Sequence, residues 1–502
     1  MTGRREFLRN TAALSGAAFL EEGAIVVDPT PLFDISPGLF MQFMEPLGVT
    51  DSSVEAAWDY TADDWRKDFV DVTKDLAPGM MRFGGNFSRY YKWREGVGPV
   101  NARPRMRNYD WGGVETNRVG TQEFVDFSRR VGAEPFYCVN FLGDGHNISG
   151  RTGDAREAAD WVSFCNDPDN KDRRAYGASE PYNLKTWQIG NETSYGKGGF
   201  SKDEAIAHTI EFAKAMRQRD PGLKLIGWGD GPGGGALEGL WAADMLERAG
   251  DHLDSIAIHM MGQRPLRADT VLRGLRYQAE PERAWNELLE MSKRIEMRVK
   301  ALKEILSAKR SRANIAVTEG HLSLPPHNAN PILYEWLTGV FHAISMNTYQ
   351  RHGDRVKIAT AADFCGTRWT VNAVMLPVPG GRSYLMPVAS VMRLFRRYNG
   401  SQGIHVSSAP TALDIAASRT QHDVWLHVAN TSFSSPVTAT FQIKGHTISG
   451  GQVFEIAPQD PREYVNADQP DTLRPVERTL PRTDAKWQFP ARSVSAVRLT
   501  FA

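Results

Sequence analysis

The sequence predicts an α/β fold, a (β/α)8 TIM barrel with a C-terminal, jelly-roll-like β-sandwich, on three observations. From about residue 38 short β-type runs alternate with amphipathic helical stretches, and two of these runs end in a glutamate. Beyond residue 398 the texture changes to short alternating segments separated by Gly, Pro, Asn and Ser. A chain of 502 residues also exceeds what one hydrophobic core usually supports, so a barrel plus a second unit is the expected division.

The strand candidates of the barrel are 40–43, 79–83, 135–140, 186–190, 224–228, 255–259, 314–318 and 356–361. Between them lie helical patterns such as 203–219, whose Ala205, Ile206, Ile210, Ala213 and Met216 mark an apolar face that Asp220-Pro221-Gly222 ends. A second helical pattern, 282–309, carries the stripe Trp285, Leu288, Leu289, Ile295, Val299, Leu302 and Leu306. Such stripes predict core packing only. After a helix near 383–398, the segments 423–428, 437–443 and 493–499 read as sandwich strands, and the β-rich stretch before the barrel is expected to join them. The division that follows is 1–22 as an export segment, 23–37 as an N-terminal strand of the sandwich, 38–398 as the barrel and 399–502 as the sandwich.

Composition narrows the function. Lys plus Arg number 59 against 59 Asp plus Glu, so no net field draws the chain to nucleic acid or to acidic lipid. No nucleic-acid or membrane partner is expected, and no run reaches the length of a membrane-spanning helix. Cys138, Cys165 and Cys365 are too few and too scattered for a disulfide framework or a zinc site, and each sits among apolar residues as a buried free thiol would. His252, His259 and His321 show no metal-ligand spacing. At the N-terminus, Gly3-Arg4-Arg5-Glu6-Phe7-Leu8-Arg9 and the small apolar run from Thr11 to Leu20 resemble a twin-arginine signal. Export to the periplasm or medium is the expectation, with a cytoplasmic protein as the alternative.

The chemistry lies at strand ends. Trp187-Gln188-Ile189-Gly190-Asn191-Glu192 is an apolar strand that stops in a carboxylate and an amide, and Ile315-Ala316-Val317-Thr318-Glu319 delivers a second glutamate in the same way. In a barrel, active groups stand at the C-terminal ends of the strands. Two carboxyls meeting there suit cleavage of a glycosidic bond, one protonating the leaving oxygen and the other attacking carbon. A neighbouring negative charge and burial are expected to keep Glu192 protonated, while hydrogen bonds keep Glu319 ionised. Asn191 is placed to hold a sugar hydroxyl. Taken singly, each glutamate also fits a helix cap or an ion pair.

Further segments carry a family resemblance: Arg82-Phe83-Gly84-Gly85-Asn86-Phe87, Trp93-Arg94-Glu95-Gly96-Val97-Gly98-Pro99, Arg103-Pro104 and Trp111-Gly112-Gly113-Val114-Glu115-Thr116-Asn117. In order and spacing they resemble the α-L-arabinofuranosidases of glycoside hydrolase family 51, over about residues 38–363. The resemblance implies a retaining enzyme without metal or other cofactor, with Glu192 as acid/base on strand four and Glu319 as nucleophile on strand seven. It implies that Glu45 binds furanose hydroxyls, that Asn86 and Asn191 touch the sugar, that Trp111 lines the site and that His259 holds a strand-six position. It also implies a carbohydrate substrate, exo action on terminal arabinofuranosyl groups and a homo-oligomer.

Alternatives stay open at this level. Trp111 also fits a core, Asn86 a turn, and Glu45 an ion pair with Arg82. The chain departs from the family at Gly320-His321, at Met260-Met261 where a tyrosine is expected, and at Asp363 where a glutamine is usual. These departures leave the carboxylates intact and alter groups that choose the sugar. A same-clan glycosidase acting on a galactofuranoside, D-arabinofuranoside, xyloside or β-glucan, and a non-catalytic carbohydrate-binding barrel, are therefore the rival readings.

Overall fold

The computed structural model describes residues 21–196, 199–233, 239–261, 264–480 and 485–501. Most of the twin-arginine-like segment lies outside them. The first strand, β1 (Glu21–Asp34), precedes the barrel strands β2 (Gln42–Met44), β3 (Met80–Phe83), β4 (Glu134–Val139), β5 (Thr186–Ile189), β6 (Lys224–Trp228), β7 (Ser255–Met261), β8 (Asn314–His321) and β9 (Val356–Ala359). These eight, β2 to β9, pair in chain order, every pair parallel. The Met41 amide donates to the Ala359 carbonyl at 3.0 Å, which brings the first strand round to the last. The apolar runs are buried on both faces, as expected where helices cover a parallel sheet.

Alternation sorts the side chains into two populations. Met41, Phe43, Phe136, Ile226, Trp228, Ala257, Ala316 and Ile358 cluster together inside the barrel. Their neighbours in sequence, among them Trp187, Ile189, Ile256, Ile258, Ile315 and Val317, join the larger core beneath the helices. Helices α1 (Lys202–Arg219) and α2 (Pro281–Ala308) follow the predicted stripes, α1 starting at a Ser201–Glu204 capping box. Helix α3 (Gly339–Arg351) is buried along most of its length.

The register breaks twice, once at Lys357 in β9 and once in β8, and the break in β8 matters for the site. Ile258 pairs with Val317, but His259 pairs with Glu319, so Thr318 is an extra residue in β8. A bulge of this kind re-aims the side chains beyond it. Strict alternation would place Glu319 on the helix side with Ile315 and Val317; the bulge turns it inward beside His259.

The strands of the C-terminal unit are β10 (Gln402–Ser408), β11 (Leu413–Arg419), β12 (Asp423–Asn430), β13 (Val437–Ile443), β14 (Ile448–Ile456), β15 (Val476–Leu480), β16 (Lys486–Phe489) and β17 (Val494–Phe501). With β1 they form one hydrogen-bonded sheet in the order β15-β14-β17-β12-β11-β10-β1-β13-β16. Phe489 and Phe441 near one edge bury in the same cluster as Leu480 and Val453 near the other, so the sheet curls over a single core in the manner of a sandwich. Strand β1 lies between antiparallel β10 and parallel β13. Barrel and sheet are tied by two indoles: Trp285 Nε1 donates to the Thr431 carbonyl at 2.9 Å and Trp336 Nε1 to the Arg492 carbonyl at 2.8 Å. On α3, Asn347 and Arg351 both reach the Asp414 carboxylate.

Replacing Trp336 by Phe keeps most of the buried volume and deletes one donor across this junction. Urea unfolding should show a loss of about 1–3 kcal/mol, the cost of an unpaired buried carbonyl; an unchanged midpoint would mean that the indole N–H contributes nothing to the junction.

Candidate active site

Both predicted glutamates reach the mouth of the barrel. Strand β5 ends at Ile189, and the chain turns through Gly190, at φ +75°, into Glu192, itself at φ 52°. A side chain at 190 would strike Thr193 Cγ2 at 2.7 Å and the Phe141 ring at 2.8 Å, so this turn requires glycine. Left-handed backbone in a non-glycine residue costs about 1–3 kcal/mol and concentrates at functional sites. Glu319 arrives by the bulge in β8. His259 Nδ1 lies 3.0 Å from Glu192 Oε1 and 3.6 Å from Glu319 Oε2, and one atom from each of the three side chains falls within 4.8 Å of the others.

Arg82 organises this floor. Fully buried on β3, its guanidinium donates to Gln188 Oε1 at 2.8 Å, to Glu319 Oε1 at 3.0 Å and to Asn191 Oδ1 at 2.6 Å. The three acceptors come from β5, the turn after it and β8. Asn191 in turn donates from Nδ2 to Asn86 Oδ1 at 3.3 Å. Glu45 is held elsewhere: its Oε1 accepts the Phe87 amide at 2.9 Å and the Trp111 indole N–H at 2.8 Å. Gly85, at φ +124°, permits this, because a Cβ there would lie 2.2 Å from Glu45 Oε2. Trp111 is partly exposed and meets Trp369 edge-on at 5.2 Å, so it borders the mouth rather than the core.

Burial dominates the electrostatics. It raises Glu192 above the usual carboxylate range; Arg89 and Arg82 pull it down and Asp230 supports the rise. Burial leads, and the neighbouring negative charge that assists is that of Asp230. Glu45 is raised well above its ordinary value by burial and then by the charge of Glu319, against the donors Trp111 and Phe87. His259 is lowered to about 4, by burial first and then by Arg82, with Glu319 and Asp230 acting in the opposite sense. It is therefore a neutral ring at pH 7, able to bridge the two carboxyls without adding charge.

Several contributors carry little sequence signal. Arg89 approaches both Asp144, at 3.5 Å, and Glu192, at 3.6 Å. Asp144 accepts the Asn191 amide at 3.1 Å and is pushed up to about 7, by burial above all. Asp230 accepts the Tyr195 hydroxyl at 2.7 Å and Arg298 Nη2 at 2.7 Å, and Arg298 also donates to the His259 carbonyl. Only Asp230 had a legible clue, since it follows the apolar run of β6 as the glutamates follow theirs. Met260 contacts Arg298 through its sulfur, in the stretch where the tyrosine was expected. Asp363 enters the site through His321, with Nδ1 and Oδ1 2.7 Å apart. Glu192, His259 and Glu319 have the spacing of metal ligands, yet Arg82 and Arg89 stand against the two carboxyls, and a cation placed among them would meet two guanidinium charges.

Comparison with known proteins agrees with this architecture. Two family profiles match, the alpha-L-arabinofuranosidase 1 domain over residues 72–270 and the alpha-L-arabinofuranosidase C-terminal domain over residues 323–493. An intracellular exo-alpha-(1->5)-L-arabinofuranosidase of Halalkalibacterium halodurans is 30% identical over 311 residues, 59% of this chain and 60% of its own. An alpha-L-arabinofuranosidase C of Aspergillus fumigatus is 39% identical over 171 residues, 32% of each. These matches thus span less than two thirds of the curated relatives. The solved GH51 alpha-L-arabinofuranosidase of Thermotoga petrophila is 25% identical and superposes with a TM-score of 0.74, covering 95% of this chain and 99% of that one.

The depressed His259 value has a measurable sign. Its folded value of about 4 lies below the 6.5 of an ordinary histidine, so the unfolded chain binds this proton first and the contribution to stability falls as pH drops from about 6.5 toward 4. In ¹⁵N NMR, a signal assigned by its loss in His259→Asn should stay that of a neutral ring down to about pH 5. A midpoint near 6.5 would refute the bridging geometry.

Proposed function

The chain belongs to the α-L-arabinofuranosidases of glycoside hydrolase family 51, and from that premise we propose that it releases terminal α-L-arabinofuranosyl groups from arabinose-containing poly- or oligosaccharides with retention of configuration. The observation that carries this reading is the convergence of Glu192 and Glu319 to within 4.8 Å. Carboxyls about 5–5.5 Å apart suit a covalent glycosyl-enzyme intermediate, whereas inverting enzymes keep theirs farther apart to admit water.

Each step uses groups already placed. Glu319, aligned by the Arg82 hydrogen bond, attacks the anomeric carbon as its bond to the leaving oxygen breaks. Glu192, protonated because it is buried, gives its proton to that oxygen. The resulting Glu192 carboxylate then takes a proton from water, which attacks the same carbon and restores Glu319. Glu45 in its protonated form offers a hydroxyl to a furanose oxygen, Asn86 and Asn191 supply amides, and Trp111 provides an aromatic wall. His259 holds the two carboxyls apart as a neutral bridge. Exo action and the (1→5) linkage draw support from the name of the Halalkalibacterium relative. Export is supported by the Arg4-Arg5 segment, and homo-oligomerisation by the family; among the described residues no helix is long and apolar enough to cross a membrane.

Proton NMR of the hydrolysis of 4-nitrophenyl α-L-arabinofuranoside should show the α-anomer of arabinose forming first; an initial β-anomer overturns retention. Glu319→Gln should lower kcat/KM by several orders of magnitude, since it removes the nucleophile. Glu192→Ala should damage unactivated arabino-oligosaccharides far more than the nitrophenyl substrate, because only the former need a proton on the leaving oxygen. Equal losses on both would remove Glu192 from the acid role.

A further inference from the structure

We propose that His321 and Asp363 form a specificity-determining pair that reads one hydroxyl of the sugar beside the nucleophile, the imidazole donating an N–H to the hydroxyl oxygen and the carboxylate accepting the hydroxyl proton. The inference rests on the function proposed above and adds to it the residues that select the glycone.

Geometry comes first. His321 lies two residues beyond Glu319 on β8, after the bulge, so both side chains project from the same face of the strand. Gly320 between them packs against β9, where a Cβ would meet the Thr360 carbonyl oxygen at 2.5 Å, which leaves the pocket side to residues 319 and 321. His321 and Asp363 are 8% and 6% exposed, and Nδ1 and Oδ1 stand 2.7 Å apart. Nδ1 is thereby committed to Asp363, whereas Nε2 of His321 is buried with no hydrogen-bond partner among the described residues. A buried ring N–H left unmatched destabilises the fold unless a ligand takes it.

The charges indicate what kind of ligand fits. Burial opposes protonation of His321; Asp363 first, then Glu319 and Glu192, outweigh it and leave the ring raised above its ordinary value. Among the described residues His259 and His327 also feel this charge; both are lowered first by burial and further by His321. A protonated imidazole offers two donors and no acceptor, while a carboxylate offers acceptors only. Within the site His321 balances Asp363, Arg82 balances Glu319, and Arg298 balances Asp230. Locally, His321 and Asp363 cancel one another's charge. A neutral hydroxyl, which accepts and donates at once, matches the pair.

The test measures kcat/KM of the unmodified enzyme, His321→Ala and Asp363→Ala on 4-nitrophenyl α-L-arabinofuranoside and on its 2-, 3- and 5-deoxy analogues. In the unmodified enzyme, loss of the hydroxyl that is read should lower kcat/KM by about 10- to 100-fold. In either variant that same penalty should shrink to about threefold or less while the other two persist. Variants that lose activity equally on all four substrates, with the deoxy penalties intact, overturn the inference and leave a structural role. His321→Gln and Asp363→Asn, which keep more of the volume, provide the same comparison if the alanine variants do not fold. No turnover of the parent furanoside by the unmodified enzyme overturns the functional reading and this inference with it; normal turnover with unchanged penalties overturns this inference alone.

Discussion

The site depends on one buried guanidinium. Arg82 stands inside the barrel with no exposure, a position that costs several kcal/mol of desolvation unless every face of the cation is matched. Matching comes from Gln188, Asn191 and Glu319, two of them polar side chains that an apolar barrel would not otherwise contain. The planar fork sets the angles as well as the charge, so Glu319, the Asn191 amide beside Glu192 and the barrel interior are held in one geometry. A lysine would supply the charge without the three directions.

Around that anchor, local backbone features aim the reacting groups. The left-handed conformations at Gly190 and Glu192 fold the end of β5 back over the barrel, and the extra residue Thr318 rotates β8 so that Glu319 and His321 face inward. Both features disfavour regular structure locally and persist because the surrounding core over-determines them. Burial then does most of the electrostatic work: it raises Glu192 and Glu45 above the usual carboxylate range and lowers His259 to about 4, which keeps that ring neutral.

Much of this was legible before any coordinates. The eight apolar runs appear as parallel strands with ends shifted by at most three residues, because strands buried on both faces read as continuous hydrophobic segments. Gly190-Asn191-Glu192 and the Glu319 segment stood out because a polar residue ending such a run has no packing reason to be there. Arg89, Asp144 and Arg298 did not stand out. Each is a single charged residue in a loop or a long helix, where charge is common, and its burial follows only from what packs over it. For Glu45, the expected alternative of a pair with Arg82 gives way to the Trp111 and Phe87 donors, since Arg82 is committed to Glu319.

By itself, then, the sequence determined the barrel and its sheet-rich partner, the two strand-end glutamates and the residues at which this chain leaves its family's pattern. Those properties follow from periodicity and residue type along the chain, and they survive without knowledge of any contact. Tertiary structure decided which way Glu319 points, because a period-two reading of β8 sends it to the helix side and only the register with His259 reveals the bulge. It also decided that His321 meets Asp363, residues 42 positions apart, the first at the end of β8 and the second on a short strand outside the barrel sheet. Inward or outward, paired or unpaired, is a property of neighbours across the sheet, and no local pattern encodes it.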